Sequence, residues 1–200
     1  MPLLEDIKKG AEIATGIGRP DWADVLTRPR KPNAYRFRDD GETPNNPRFP
    51  LIHYRSAVVL DAGYDPAAMF EVLFGYYGWR DQWRDGIYPY LHFHTKTHEV
   101  LGIARGTARV QFGGRKGRTL NLKPGDVVIL PAGTGHRRLS ASDDLLVVGA
   151  YPEGGKYDEP KPEDVKPAEA RKRIKAVAVP PNDPVYGRSG PLGKLWRRRT

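Results

Sequence analysis

Cysteine is absent from this chain of 200 residues, which excludes disulfide staples, thiolate metal ligands and cysteine nucleophiles. Long apolar runs are missing too. None approaches the roughly 20 residues that a membrane-spanning helix needs, so no membrane partner is expected. The opening stretch MPLLEDIKKGAEIATG carries acidic residues early and has no apolar core of signal-peptide length. Cytoplasmic is the expected location, and the lack of cysteine agrees with a reducing compartment. No segment repeats at a fixed period, which speaks for one domain rather than a tandem. The chain also lacks a recognition helix, zinc-finger spacing and interleaved basic–aromatic motifs. Its net charge of +9 is scattered among acidic residues, with the densest basic clusters at Arg171–Arg173 and Arg197–Arg199. Solvated surface and tail charge is therefore the better reading, ahead of a nucleic-acid partner.

What the chain has in quantity is turn chemistry. Glycine (22) and proline (19) are both abundant, as an all-β domain with many turns and extended arms requires. A hydrophobic content of 38% suffices for one sizeable core but is generous for a single small barrel. Residues 1–33 are expected as a helical arm. Leu4, Ile7, Ala11 and Ala14 make one narrow helical stripe, and Asp21 can cap a second short helix bearing Trp22, Val25 and Leu26. Two such helices cannot form a core alone. Residues 34–151 carry a succession of short strands with glycine-rich turns between them, the pattern of a sandwich or barrel. The expected strands are 34–38, 51–60, 88–94, 99–104, 108–113, 119–122, 127–130, 137–139 and 145–150. One helix interrupts them near 66–77, where Asp65-Pro66 supplies a cap and a first-turn proline. Residues 152–200 form an extension with one helix near 168–177. Its Tyr186, Leu192, Leu195 and Trp196 suggest docking onto the barrel or a partner subunit.

The chemistry concentrates between Gly86 and Gly106, GIYPYLHFHTKTHEVLGIARG. His92 and His94 stand one residue apart in a segment that reads as a strand. Alternate strand residues share a face about 6.6–6.8 Å apart, so both imidazoles can lean toward one point. Glu99 follows after a polar step, and His136 arrives after a Pro-Ala-Gly turn. A metal site of His92, His94, Glu99 and His136 is the sharpest reading. His98 competes with Glu99, because successive strand residues face opposite sides and only one of the two can enter the barrel. His53 has no partner at ligand spacing and is expected as a strand histidine at the rim.

These residues also carry a family resemblance. Gly86, His92-x-His94, Glu99 and Gly106 match the first cupin motif at every position. Gly125, Pro131-x-Gly133 and His136 match the second, with Ser140 standing where the family usually has asparagine, a position that is not a ligand. From about Tyr35 onward the chain resembles the YjlB-type single-domain cupins. The resemblance implies a single cupin barrel, a double-stranded β-helix or jelly roll with short flanking helices and an extended C-terminal tail. The family spacing favours Glu99 over His98 as the fourth ligand.

Imidazole and carboxylate donors without sulfur suit one divalent transition metal ion, Fe, Mn, Ni, Co, Cu or Zn. The resemblance implies metal-dependent dioxygenase or isomerase types acting on a small polar molecule, and the fold also includes binding or sensor modules without turnover. Should His98 face the metal pocket, it becomes the candidate catalytic base. Trp79, Trp83, Tyr88, Tyr90 and Phe93 crowd the first motif as core or pocket wall. A homodimer is expected from the family habit and the unmatched arm.

Overall fold

The computed structural model describes residues 18–197. The stripe from Leu4 to Ala14 lies outside them. Among the described residues, nine strands form two antiparallel sheets. In chain order the strands are β1 (Asn33–Tyr35), β2 (Leu51–Tyr54), β3 (Trp79–Asp85), β4 (Glu99–Arg105), β5 (Ala108–Phe112), β6 (Arg118–Leu122), β7 (Val127–Leu130), β8 (His136–Ala141) and β9 (Leu146–Pro152). The larger sheet runs β1-β2-β7-β4-β9-β3 and the smaller β6-β5-β8. Helix α1 (Pro66–Tyr76) precedes β3, while α2 (Pro167–Ala176) and α3 (Pro191–Leu195) follow β9.

Strand β4 organises the whole. Leu101 and Ile103 join the apolar cluster between the sheets, with Val110, Phe112 and Leu122 opposite. Val100 and Ala104 point the other way, into a second cluster beneath α1. A strand covered on both faces reads as a continuous apolar run rather than an alternating one, as EVLGIA does. Gly102 leaves room for the Phe70 ring of α1, since a Cβ there would lie 2.3 Å from it. Helix α1 buries Met69, Phe70, Leu73 and Phe74, each worth about 1.5–3 kcal/mol in transferred apolar surface. Asp65 caps it by accepting from the Ala67 N–H at 3.1 Å.

The C-terminal extension completes the second cluster. Trp196 is fully buried, stacks on Phe49 at 5.3 Å and donates its indole N–H to the Pro50 carbonyl at 2.9 Å. Asp183, also buried, accepts from the Tyr54 hydroxyl at 2.6 Å and from three backbone N–H groups of the tail, those of Val185, Tyr186 and Leu192.

Several local expectations need correction. The segment 88–94 is not a regular strand. Pro89 has no N–H to give a ladder, and the chain is pinned instead by Arg138 N–H to the Tyr88 carbonyl (2.8 Å) and by an isolated bridge between His92 and His136. Strand β3 was not expected, because a bulge between Arg80 and Trp83 breaks its period. The expected helix after Asp21 is a single 3-10 turn, Trp22–Asp24. The tail is not wholly extended, as α3 interrupts it. His53 is no rim residue. It is buried on the inner face of β2, its Nε2 3.2 Å from the Asp126 carboxylate.

Candidate metal centre

His92 and His136 face each other across the end of the barrel and exchange both backbone hydrogen bonds, at 3.2 and 2.9 Å. Such a pair holds its Cα atoms about 5.5 Å apart. Gly133 adopts φ +89, where a Cβ would meet the Asn45 carbonyl at 2.9 Å. Its N–H donates to the His94 carbonyl at 2.7 Å, so the turn before His136 is tied to the segment that carries His94. Side-chain directions alternate along 92–94 even without a ladder. Phe93 points away, into a small cluster with Ala132, Ala170 and Ile174 of α2, and the two flanking imidazoles point inward.

The donor atoms of His92, His94 and His136 lie within 4.8 Å of one another, and all three rings are buried. Each Nδ1 faces a backbone carbonyl: Tyr90 at 3.2 Å for His92, Asp158 at 2.5 Å for His94 and Thr134 at 3.1 Å for His136. A nitrogen facing a carbonyl must donate, so these contacts place the proton on Nδ1 and turn the Nε2 lone pairs toward the shared point. That is the arrangement imidazole ligands take when a carbonyl orients them. Glu99 enters the same space from β4, on the inward face shared with Leu101 and Ile103. Its Oε2 lies 3.2 Å from His94 Nε2 and 3.4 Å from His136 Nε2.

Burial holds His92 below the usual histidine range. It holds His136 well below, with His92 and His94 adding to the effect. For His94 burial acts in the same direction, but the Glu99 carboxylate and the Asp158 carbonyl outweigh it and the net shift is upward. A buried cluster of three imidazoles beside a carboxylate, with His92 and His136 held toward the neutral form, is a donor set that a divalent cation fits.

The cluster forms the floor of a cavity of about 390 Å³, within the usual range for small-molecule sites. Trp83, Tyr88, Tyr151 and Tyr157 form its walls, and Asp81, Asp85 and Glu159 contribute carboxylates. Tyr151 lies on the inward face of β9 with Val147 and Gly149, and its hydroxyl accepts from the Trp83 indole N–H at 2.9 Å. The segment after β9 crosses the site. The Asp158 carboxylate accepts from the Thr95 N–H (2.8 Å), the Lys96 N–H (3.0 Å) and the Thr95 hydroxyl. Glu159 accepts from the Tyr90 hydroxyl at 2.6 Å and from the Tyr157 hydroxyl.

His98 lies outside this cavity, on the opposite face of the chain from Glu99. Its Nδ1 accepts from the Ala132 N–H (2.9 Å), its Nε2 faces the Ala178 carbonyl (3.2 Å), and its ring packs against Trp196 at 4.7 Å. Burial drives its pKa down to about 3. The orientation that would make it a base at the site is not the one observed. Of the aromatics crowding the first motif, Trp83 and Tyr88 line the cavity, whereas Trp79 and Phe93 are core. Tyr151, Tyr157, Asp158 and Glu159 were not foreseen. Strand parity could have found Tyr151, but no local signal marks the crossing segment.

A jelly-roll barrel with histidines converging at one end is the architecture of a cupin. The chain belongs to the cupin superfamily: residues 79–153 match the Cupin family model, and the chain is 43% identical over 167 residues to the Bacillus subtilis (strain 168) protein named Uncharacterized protein YjlB. That alignment covers 84% of this chain and 98% of its relative. Among solved structures, a variant of Bacillus subtilis oxalate decarboxylase OxdC aligns with a TM-score of 0.34 at 19% identity, over 57% of this chain and 28% of that one. Acireductone dioxygenase from Bacillus anthracis with cadmium in its active center gives 0.32 at 17% identity, over 44% and 62%. Likenesses this distant carry no argument about activity. No helix among the described residues is long and apolar enough to cross a membrane.

Proposed function

We propose that the protein is a metal-dependent cupin acting on a small polar molecule, with His92, His94, His136 and Glu99 as ligands of one divalent transition metal ion. The observation that carries the reading is the set of three Nδ1-to-carbonyl contacts, which aim three buried Nε2 lone pairs at one point beside the Glu99 carboxylate. When bound, such an ion supplies Lewis-acid polarisation and, if redox active, oxygen chemistry, so dioxygenase or isomerase activity is the reaction type proposed. The chain's own part is to hold the ligands, wall the cavity from water and supply proton-transfer groups. Burial raises Tyr151 and Tyr157 far above the usual phenol range, so they act as hydroxyl donors and not as bases. Burial pushes Glu159 up, but the Tyr157 and Tyr90 hydroxyls and the neighbouring imidazoles outweigh this and hold it below the usual carboxylate range, so it stands beside the cavity as an ionised acceptor. The position of His98 outside the cavity favours a second reading, a non-catalytic metal-containing binding module.

Elemental analysis of untagged protein beside His136→Ala tests the ligand set. Near-stoichiometric Fe, Mn, Ni, Co, Cu or Zn in the parent, lost in a variant that keeps its circular dichroism, is the expected result. Parent protein that is metal-free and takes up none of these ions would remove the reading.

A further inference from the structure

The cavity wall has a character of its own, separate from the ligand set. Three carboxylates besides Glu99 line it: Asp81, Asp85 and Glu159. None of the three takes part in an ion pair among the described residues. Glu159 is held as an acceptor by two tyrosine hydroxyls. Asp81 sits at the bulge of β3 with φ 51, in the left-handed region that aspartate tolerates better than most residues. The cavity's one arginine, Arg84, is already committed. Its guanidinium meets the Glu71 carboxylate at 2.6 and 2.9 Å and Asp65 at 2.6 Å, on the α1 side of the strand.

The rest of the wall is mainly aromatic, with Gly86 and Ile87 beside the rings. The Trp83 indole lies over Gly149, where a Cβ would come within 2.0 Å of the ring. Tyr151 and Tyr157 meet at 5.3 Å between centroids, and Tyr157 reaches His94 at the same distance. Tyr88 stands over His92 at 5.4 Å. Ring faces attract cations within about 6 Å, and indole does so best.

We propose that the cavity selects a small organic cation, an alkylammonium or comparable onium group held between the aromatic wall and the free carboxylates, with a donor atom of the same molecule reaching the metal site. The proposal rests on the metal reading above for the donor end only. The excess of positive charge over the chain as a whole would suggest an anionic ligand, but the carboxylates of the cavity lining carry the opposite sign. Carboxylates without an ion-pair partner among the described residues repel anions from the mouth, and the field in a cleft is shaped by its own lining.

Three probes separate the parts. Betaine carries a trimethylammonium group and a carboxylate donor. Its isostere 3,3-dimethylbutyrate has carbon in place of the charged nitrogen. Tetramethylammonium has the cation and no donor. Calorimetric titration of zinc-loaded full-length protein, with zinc content measured on the same sample, is expected to give at least about tenfold tighter binding of betaine than of 3,3-dimethylbutyrate. Glu159→Gln and Asp81→Asn are each expected to narrow that ratio severalfold, with unchanged zinc content. Equal or tighter binding of the isostere, or no binding of either to protein that holds zinc, overturns the cation proposal and leaves the metal reading standing. Protein that takes up no zinc yet binds tetramethylammonium, more weakly after Tyr88→Leu, removes the metal reading and keeps the cation site.

Discussion

Asp158 positions His94 of the proposed metal site through its backbone carbonyl, and its replacement separates stability from metal affinity. Its carbonyl accepts from His94 Nδ1, while its carboxylate closes onto Thr95 and Lys96 through two backbone N–H groups and one hydroxyl. Asp158→Ala keeps the carbonyl but removes the clamp that fixes it. Hydrogen bonds to a charged group are worth about 1.5–3 kcal/mol each when buried. Here Asp158 is half-buried and Lys96 exposed, so about 2 kcal/mol in total is a fair sum after solvent screening. For a chain of this size that lowers Tm by about 4–8 °C. Loosening the partner of a ligating imidazole typically costs about 10–100-fold in metal affinity. Thermal unfolding of the metal-free variant reads the first effect, and zinc titration against a competing chelator reads the second. Asp158→Asn, which keeps one acceptor oxygen, should fall between. A normal zinc affinity in an Asp158→Ala protein with lowered Tm would refute the reasoning, because the carbonyl would then be positioned by the chain alone.

Two further outcomes follow from the packing. Glu71 is pushed up by burial, but Arg84 and Arg19 outweigh this and its net pKa lies below 4.5. Its contribution is therefore complete above the unfolded value and lost as pH falls through the folded one. Glu71→Gln should lower Tm by about 2–4 °C at neutral pH, for a screened ion-pair network of about 1 kcal/mol, with the gap from the parent closing in melts below pH 4.5; a pH-independent gap would contradict this. Trp196→Ala empties a fully buried site and removes the hydrogen bond to Pro50, at a cost of about 3–5 kcal/mol. Its Tm should fall by about 10 °C while zinc content in the folded protein holds; lost zinc with an unchanged Tm would show that the tail acts on the site and not on the core.

The parts of the molecule legible from sequence were those where local chemistry and global fold agree. Strand β7 coincides with its expected limits at 127–130, since VVIL lies between a Pro-Gly turn and Pro131. Helix α1 was legible from its aspartate cap and first-turn proline. His92, His94, Glu99 and His136 were legible because their spacing is a property of the chain, and the structure brings them together although 88–94 is not the ladder that was expected. The choice between His98 and Glu99 was open from parity alone, and the two clusters on either side of β4 decide it: Glu99 follows Leu101 and Ile103 into the barrel, and His98 follows Val100 toward Trp196. What stayed hidden is non-local. Nothing within YDEP near residue 158 states that it lies beside a histidine 64 positions earlier, and the bulge that turns Asp81 has no composition signal.

The crossing segment also shows why a 200-residue chain surrounds a barrel that needs fewer. After β9 the extension does three things in order. It passes the Asp158 carbonyl to His94 and the Glu159 carboxylate to the cavity. It lays Ala170 and Ile174 of α2 against Phe93, behind the ligand-bearing segment. It then seals the second core with Trp196. The irregular segment 86–98 has few ladder bonds of its own, so rigidity must come from outside it, and α2 and the crossing segment supply that. A ligand set carried on a loop needs such support to stay within a few tenths of an ångström of a working geometry. The extension thus supports the candidate site, and damage to it should register in zinc affinity wherever it touches 90–96 and only in stability wherever it touches His98, β2 or α1.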